Sequence, residues 1–317
     1  MRDLRRRRIT ATLQAAALTA ALLAGGASYG AGTAYAAPQR TAITQTPGEA
    51  SARKELRALE KAYQARIGAY ALDTGTGKTV TYRAGERFPL LSTFKALAAA
   101  AVLHKARTSD PGLMNRVVTW TQDEVKPNSP ETEKHVKDGM TVAELCRAAI
   151  TKSDNTAGNM LLKQLGGPSG LTRYLRALKD PVSRLDRWET ELNDWSPKER
   201  RDTTTPAAYA RDLRALTVGD ALAPEDRERL NGWLRANETG GTRIRAGLPP
   251  TWTVGDKTGT GTTYAPNNDV AIVWPAKDAA PVIMAIYTNR DTAGAAREDK
   301  IVSRTATILA RGLGKLS

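Results

Sequence analysis

Strand-like segments occur only toward the two ends of this chain, and the long stretch between them is almost entirely helix-like. Residues 67–72 and 79–83 flank a Gly75-x-Gly77 turn and predict a β-hairpin. Three further strand candidates follow near the end, at 251–257, 269–274 and 282–288. Because short turns join most neighbours, we expect about five largely antiparallel strands, supplied by both ends of the chain.

Helical spacing predicts the elements that cover this sheet. Residues 50–66 and 294–313 are placed to pack on one face, and the Ala-rich segment 92–107 is apolar enough to be buried. Thr141 to Glu144 forms a capping box that opens another helix. Further helices are predicted in the middle of the chain, at 155–165, 168–178, 206–217 and 224–237.

We therefore predict an α+β fold, an α/β sandwich in which terminal helices flank a five-stranded antiparallel sheet. Its α/β part comprises about residues 50–88 and 240–317, and an all-helical subdomain comprises about residues 89–239.

The first 36 residues have the organisation of an export signal. Arg5 to Arg8 form a positive segment, Ile9 to Ala24 are largely apolar, and Ala34-Tyr35-Ala36 is a small-x-small cleavage site. We predict a signal peptide at 1–36, a mature domain at 37–317 and a secreted, extracellular protein. A permanent membrane anchor is the less favoured alternative, because the apolar stretch is shorter than the roughly 20 residues that span a bilayer. Both general secretion and twin-arginine export remain open.

Composition excludes several classes of partner and cofactor. Removing five Arg and one Asp with the leader lowers the formal charge from +14 to +10, which favours weak adhesion to anionic cell-wall polymers or simply a solvated basic surface. We find no nucleic-acid-binding signature. Cys146 is the single cysteine, so no internal disulfide forms, and its apolar helical setting predicts burial. We expect a monomer without a stable membrane anchor.

The scarcity of histidine bears on the chemistry. Zinc hydrolases mostly use several His ligands, and this chain has only His104 and His135 beside Cys146. A Ser-His-Asp triad would need one of the same two residues, and the chain has no G-x-S-x-G elbow. We therefore predict no metal and no cofactor.

Four short segments, in one order, supply the groups for hydrolysing an acyl bond through a covalent intermediate. Ser92 and Lys95 share one face of a helix at i and i+3, so a neutral lysine there can draw the serine proton. Glu189, with Asn193 four residues later, lies in the long aperiodic segment 184–205 and can activate water. The other two segments are Ser153-Asp154-Asn155 and Lys257-Thr258-Gly259.

Each of these segments has an ordinary structural explanation when taken alone. Ser153 can pass a proton to a leaving nitrogen and Asn155 can hold a carbonyl, but Ser-Asp-Asn also favours a helix N-cap. Lys257 and Thr258 can meet a substrate carboxylate, and Gly259 lets a ligand approach the backbone, although the tripeptide is common. Their joint occurrence distinguishes them from chance.

The whole series resembles the class A serine β-lactamases from about residue 50 to the C-terminus. The most specific stretches are Ser129-Pro130, Thr132-Glu133-Lys134-His135, Asp138-Gly139-Met140-Thr141-Val142, Ile150-Thr151-Lys152-Ser153-Asp154-Asn155-Thr156-Ala157, Arg187-Trp188-Glu189-Thr190-Glu191-Leu192-Asn193 and Arg201-Asp202-Thr203-Thr204-Thr205-Pro206. The resemblance implies a β-lactamase and D,D-peptidase-like fold and hydrolysis of the β-lactam amide bond of penicillins and related antibiotics, which confers resistance.

The resemblance also implies roles for individual residues. Ser92 would be the nucleophile, and either Lys95 or Glu189 acting through water would be the acylation base. Glu189 and Asn193 would direct the deacylating water, and the N–H groups of Ser92 and Thr260 would form the oxyanion hole. Arg187 and Asp202 would pair across the base of the loop, and the Glu189–Thr190 bond would be cis.

This chain departs from the family pattern at the substrate site. Many members carry an arginine on the strand after Lys-Thr-Gly, which is missing here, so we assign Arg243 to the substrate carboxylate with Thr258 and Thr260. A solvated Arg243 is the alternative. Asn128 stands where the family usually has an aromatic residue in the wall of the cleft. Ala99 stands where some members have a Cys that bonds the one at position 146, so Cys146 has no such partner. Gly261 is not a Cys, so the active-site disulfide of some relatives is absent.

Two other functions stay open on the sequence. A penicillin-binding D,D-peptidase shares the nucleophile and the anion site but lacks the water-activating carboxylate, so Glu189 discriminates against it. A non-catalytic β-lactam sensor or cell-wall binding module would need a membrane link to pass its signal, and a cleavable leader supplies none.

Overall fold

The computed structural model describes residues 47–317, so the predicted signal peptide lies outside the described residues. The helices of the described part are α1 (Pro47–Tyr63), α2 (Phe94–Thr108), α3 (Val142–Thr151), α4 (Asn155–Leu165), α5 (Pro168–Ala177), α6 (Pro206–Thr217), α7 (Pro224–Arg235) and α8 (Asp299–Gly312). The strands are β1 (Ala65–Asp73), β2 (Thr79–Tyr82), β3 (Phe88–Pro89), β4 (Val117–Val118), β5 (Met140–Thr141), β6 (Thr203–Thr204), β7 (Thr253–Thr260), β8 (Asn267–Trp274) and β9 (Val282–Arg290).

Five strands form one antiparallel sheet in the order β2-β1-β9-β8-β7. The central strands β1 and β9 come from opposite ends of the chain and pair from Ala65 with Arg290 to Asp73 with Val282. The α+β architecture with a sheet built from both chain ends is therefore confirmed. The predicted helix at 294–313 begins later, at Asp299, where the Glu298 side chain accepts from the Lys300 N–H.

Each face of the sheet is buried against a different helical layer. On β9, Ile283 and Tyr287 belong to the core under the helical part, whereas Met284 and Ile286 belong to the core under α1 and α8. Side chains of a strand alternate between its two faces, so a strand buried on both faces has apolar residues on both. For this reason β9 does not alternate between apolar and polar residues. Tyr209 of α6 packs against Tyr287 on the helical side.

Helix α2 runs through the centre of the helical part and is buried from Phe94 to Leu103. Its alanines let α3, α4, α5 and α7 pack around it, since small side chains permit close approach of helices. Strand β7 passes directly beside the turn that precedes α2. A Cβ at Gly259 would lie 3.1 Å from the Leu90 carbonyl oxygen, so glycine permits this approach.

Two pairs of very short strands tie the loops to this frame. β3 pairs with β6 and β4 pairs with β5, each over two residues. Neither pair was predicted, because two-residue strands carry no readable periodicity. The β3–β6 pair anchors the end of the segment that carries Glu189. Within residues 47–317, no helix is both long and apolar enough to cross a membrane.

Candidate active site

Ser92 lies in a 3₁₀ turn, Leu91–Thr93, that leads into α2. Leu91 before it has a φ of 49°, a left-handed conformation that costs free energy in a residue with a side chain. The turn is held by Tyr209 of α6, whose hydroxyl donates to the Thr93 carbonyl at 2.9 Å. Lys95, three residues after Ser92, donates from Nζ to Ser92 Oγ at 2.8 Å. The predicted juxtaposition of these two side chains is therefore present.

Lys95 is fully buried and surrounded by acceptors. Besides Ser92, its Nζ donates to Asn155 Oδ1 at 2.6 Å and to the Ser153 carbonyl at 2.9 Å, and Glu189 Oε1 lies 2.9 Å away. Burial lowers the pKa of Lys95, while the negative charge of Glu189 opposes that shift. The result is an ammonium that gives up a proton more readily than a solvated lysine. A Cβ at Gly158 would lie 2.9 Å from Lys95 Cε, so α4 needs glycine there.

Within the Ser-Asp-Asn segment, one residue caps a helix and another faces the cleft. Asp154 is the N-cap of α4 and accepts from the Ala157 N–H at 2.8 Å, so the capping alternative applies to this residue. Ser153 is left free for other contacts. Its φ of 56° directs the residue into the cleft, and its hydroxyl accepts from Lys257 Nζ at 3.0 Å.

Lys257 on β7 is buried and approaches the same serine from the opposite side. Its Nζ also donates to the Thr258 carbonyl at 2.8 Å. Burial lowers the pKa of Lys257 well below its ordinary value, and the positive charge of Lys95 adds to the shift. Ser153 thus lies between two lysines, one at its carbonyl and one at its hydroxyl.

Glu189 reaches Ser92 from the long loop. Its Oε1 accepts from Ser92 Oγ at 3.3 Å, and its Oε2 accepts from Asn193 Nδ2 at 2.6 Å. Among the described residues, the buried Asn193 Oδ1 has no hydrogen-bond donor. The Glu189–Thr190 peptide bond is cis, as the resemblance implies.

Asn159 on α4 fixes the backbone of Glu189. It accepts from the Glu189 N–H through Oδ1 and donates to the Glu189 carbonyl through Nδ2, both at 2.9 Å. Sequence reasoning missed this residue, because a lone Asn inside a helix carries no motif, and its partner is 30 positions away.

Charged and polar side chains close the base of the loop. Arg187 Nε pairs with Asp202 Oδ2 at 2.6 Å, which is the pairing that the resemblance implies. Asp202 Oδ1 also accepts the backbone N–H groups of Asp186 and Arg187. At the other end, Asp180 accepts the N–H groups of Val182 and Ser183. Both ends of the loop are therefore held by buried carboxylates.

Hydroxyl groups and one guanidinium lie together beside the end of β7. Arg243 is 5% exposed, so it is not solvated; its Nη2 donates to Thr260 Oγ1 at 2.7 Å and its Nη1 to the Asn268 carbonyl at 2.8 Å. Asp299 accepts from Arg243 Nε at 3.1 Å. The Thr258 hydroxyl lies 2.5 Å from that of Thr239, a residue that sequence reasoning did not single out.

These groups surround one cleft of about 360 Å³. Its lining residues are Ser92, Asn128, Lys152, Ser153, Asn155, Asn193, Thr239, Arg243, Thr258 and Thr260. The lining contains two cations, Lys152 and Arg243, and no carboxylate. Gly259 does not line the cleft. Leu90 and Leu91 lie close to the position that a side chain at Gly259 would occupy.

Two remaining expectations concern His and Cys chemistry. Within residues 47–317, no three His, Cys, Asp or Glu side chains come together in a way that could hold a metal ion. Cys146 is buried on α3 as predicted, and burial raises the pKa of its thiol.

Known proteins share both the sequence and the fold. The sequence model described as the Beta-lactamase enzyme family matches residues 51–313. Beta-lactamase FAR-1 of Nocardia farcinica is 51% identical over 296 residues, which cover 93% of each chain. The carbapenem-hydrolyzing beta-lactamase KPC of Klebsiella oxytoca is 45% identical over 274 residues, covering 86% of this chain and 91% of KPC.

A solved beta-lactamase from Streptosporangium roseum superimposes with a TM-score of 0.84 and 73% identity, covering 84% of this chain and all of that one. An ancestral (GNCA) class A beta-lactamase is 49% identical with a TM-score of 0.78 over 82% of this chain and 98% of its own. The family match spans most of the chain, and the buried Ser92–Lys95–Glu189 cluster lies inside it. This chain belongs to the class A β-lactamases.

Proposed function

We propose that this protein hydrolyses the β-lactam amide bond of penicillins and related antibiotics through an acyl-enzyme on Ser92, and thereby confers resistance. One observation carries the proposal. Ser92 Oγ lies 2.8 Å from Lys95 Nζ and 3.3 Å from Glu189 Oε1, so the nucleophile contacts two groups that can take its proton, Glu189 directly and Lys95 once it has released a proton of its own. This arrangement is what a serine hydrolase without histidine requires.

Acylation begins when Ser92 Oγ attacks the carbonyl carbon of the strained ring and loses its proton. Lys95, with its lowered pKa, and Glu189 are both within reach of that proton. The negative charge that develops on the carbonyl oxygen would be stabilised by the N–H groups of Ser92 and Thr260. Ser153, in contact with Lys257, would donate the proton that the ring nitrogen needs when the C–N bond breaks.

Substrate orientation would come from the polar ends of the cleft. Thr258, Thr260 and Arg243 would bind the carboxylate on the ring, since Arg243 already donates to Thr260 Oγ1. Lys257 contributes positive potential from beneath the floor. Asn155, anchored by its Nδ2 on the Pro127 carbonyl at 2.7 Å, would contact the acylamino side chain on the other side of the ring.

Deacylation would use Glu189 and Asn193. The carboxylate would take a proton from a water that attacks the ester carbonyl, and the proton would pass to Ser92 Oγ as the ester bond breaks. The undonated Asn193 Oδ1 supports this role, because a buried acceptor beside Glu189 suits a water that bridges both side chains.

The same carboxylate argues against the peptidase and the sensor. A D,D-peptidase would have no need to hold Glu189 against its nucleophile. Burial of the Lys95–Glu189 pair costs free energy, and a role of Glu189 in hydrolysing the ester accounts for that cost. We further propose that the protein is secreted, which the signal-like first 36 residues support. We also propose that it acts as a monomer. Weak adhesion to anionic wall polymers would follow from its basic charge.

The proposal is tested with the mature protein and benzylpenicillin. Wild type is expected to hydrolyse the drug, and Ser92→Ala is expected to lose about 10⁴-fold or more of the turnover rate, because no other group supplies the nucleophile. The measurement is ring-opening absorbance, with a folded state verified by circular dichroism. An active Ser92→Ala variant, or an inert wild type, would refute the proposal.

A further inference from the structure

Lys152 lies on the border between the active-site cleft and a second cavity. It follows the last residue of α3 and precedes Ser153. Its side chain lines the cleft and also the neighbouring cavity of about 400 Å³. That second cavity is rich in carboxylates, with Glu131, Glu144 and Glu238 in its wall. The cleft itself contains none. Lys152 therefore lies between a cavity that contains three carboxylates, together with His135 and Arg147, and a cleft that contains no carboxylate.

The ammonium of Lys152 is turned toward Glu238, one of the carboxylates of the second cavity. Its Nζ lies 2.5 Å from Glu238 Oε2, and the Glu238 N–H donates to the Thr151 carbonyl at 3.1 Å. The two side chains are 35% and 59% exposed. Ion pairs this exposed contribute little to stability and exchange partners readily, and the flexible lysine stem permits the ammonium to swing.

Arg243, the other cation of the lining, is already fixed by four hydrogen bonds to protein groups. Lys152 is different, because within residues 47–317 it is ion-paired only with Glu238, which lies across the rim and outside the cleft lining. Of the two cations in the described cleft, it is the one that can turn to meet a second negative charge on a substrate.

The position of that second charge follows from the orientation proposed above, on which this inference rests. With the leaving nitrogen at Ser153 and the ring carboxylate at Thr258 and Thr260, the ring carbon adjacent to the one that bears the carboxylate would face the part of the cleft lined by Lys152. In cephalosporins this carbon carries the 3-substituent. We propose that Lys152 is a specificity-determining residue that favours cephalosporins with an anionic 3-substituent.

Two cephalosporins test this directly. Cefonicid and cefamandole share the mandelamido side chain and a tetrazolylthiomethyl 3-substituent, and differ in that cefonicid carries a sulfonate on the tetrazole. For each enzyme, kcat/KM is measured for both drugs, and the ratio is compared. In Lys152→Ala the ratio of cefonicid to cefamandole is expected to fall about twofold to fivefold, the effect of one exposed ion pair.

Three further variants sharpen the result. Glu238→Gln releases Lys152 and is expected to raise the ratio, whereas Lys152→Arg is expected to keep it. Lys134→Ala removes an equal charge from a surface pair with Glu131 outside the cleft and is expected to leave the ratio unchanged. Raising salt from low to high ionic strength is expected to shrink the difference between wild type and Lys152→Ala.

The outcomes separate this inference from the proposed function. If wild type hydrolyses both cephalosporins and Lys152→Ala has the wild-type ratio, the role of Lys152 is refuted and the β-lactamase reaction stands. If Lys134→Ala lowers the ratio as much as Lys152→Ala does, general surface charge is responsible and the role is likewise refuted. Hydrolysis of neither cephalosporin nor benzylpenicillin would instead refute the proposed function.

Discussion

The two halves of the active site are held in place by different forces. Ser92 and Lys95 belong to a turn and a helix that are buried in the hydrophobic core, and Lys257 belongs to an edge strand of the main sheet. Glu189 and Asn193 belong to a long loop held by ion pairs, carboxylate caps and Asn159. Packing therefore positions Ser92, Lys95 and Lys257, and hydrogen bonds position Glu189 and Asn193, the two groups proposed to direct deacylation.

This difference matches the chemistry proposed for each half. A nucleophile needs one fixed position, which regular structure and close packing supply. The hydrolytic water must be placed against an ester that exists only after acylation, and a polar loop provides carboxylates and amides that a helix core would not tolerate unpaired. Perturbing one half should therefore alter one step of the reaction and spare the other.

The largest separation is expected for Glu189→Ala. Acylation at Ser92 should continue, while turnover should fall by about 10²–10⁴-fold, because the general base for water is removed. A burst of one drug molecule per enzyme followed by a very slow steady rate, measured by stopped-flow absorbance with benzylpenicillin, is the expected record. Steady turnover at the wild-type rate would show that the loop carboxylate is dispensable.

A smaller effect is expected from Arg187→Ala, which leaves the buried Asp202 without its cationic partner. We expect a loss of about 2–3 kcal/mol in the free energy of unfolding and a deacylation rate about tenfold to a hundredfold lower, with acylation less affected. Denaturant titration and single-turnover kinetics measure the two quantities.

Two control variants test whether the effect of Arg187→Ala is specific to the buried ion pair. Arg184→Ala removes an exposed partner of Asp186 from the same loop and should change the unfolding free energy by at most about 0.5 kcal/mol. Leu97→Ala in the core of α2 should cost about 2–5 kcal/mol and leave the ratio of acylation to deacylation rates unaltered. Equal loss of both rates in Arg187→Ala would contradict the division between the two halves.

The smallest and subtlest effect concerns a pair of carboxyl groups at the start of the loop. Asp212 of α6 is buried, and its carboxyl group interacts with that of Asp180. Burial, together with the negative charge of Asp180, raises the pKa of Asp212 to about 9. Hydrogen bonds from Ser183 and Val182 overcome burial and lower the pKa of Asp180. Asp212 is therefore the protonated donor at neutral pH, and Asp180 is the charged acceptor.

The pH dependence follows from that assignment. The unfolded chain releases the Asp212 proton above about pH 4, whereas the folded chain keeps it until about pH 9, so this group makes folding progressively less favourable across that window. Asn at 212 does not titrate and still donates. Asp212→Asn should therefore equal wild type near pH 4 and be about 1–3 kcal/mol more stable at pH 8, measured by denaturant titration.

Asp180→Asn is the matched control, because it weakens the acceptor for Val182 and Ser183 and should destabilise the protein at pH 8. A stability difference between Asp212→Asn and wild type that does not change between pH 4 and pH 8 would show that Asp212 is charged in the folded state.

The same contrast explains what the sequence could predict. The strands and helices were found from periodicity, because packing on one or two faces leaves a regular pattern of apolar residues. Ser92, Lys95 and Glu189 were found because each lies in a short motif. Asn159 and Thr239 were missed, since the partner that ties each to the site, Glu189 or Thr258, lies far along the chain and leaves no local pattern. The pairing of β3 with β6 was missed for the same reason.

Two sequence expectations needed the structure to become specific. The Ser-Asp-Asn segment was compatible with a helix cap and with a catalytic site, and the structure gives the cap to Asp154 while it leaves Ser153 facing the cleft. Arg243 was assigned to the substrate carboxylate with a solvated guanidinium as the alternative, and it is buried against Thr260 rather than solvated. Both choices depend on which distant backbone lies nearby, which a linear pattern does not contain.

The central claim is that Ser92 is esterified by the drug and that Glu189 controls release of the ester. Its most direct test is the mass of Glu189→Ala after mixing with benzylpenicillin, followed by peptide mapping. We expect an increase by one intact drug molecule per protein, located on the peptide that contains Ser92 and lasting far longer than in wild type. A drug-treated variant with no added mass, or with the adduct on another residue, would contradict it.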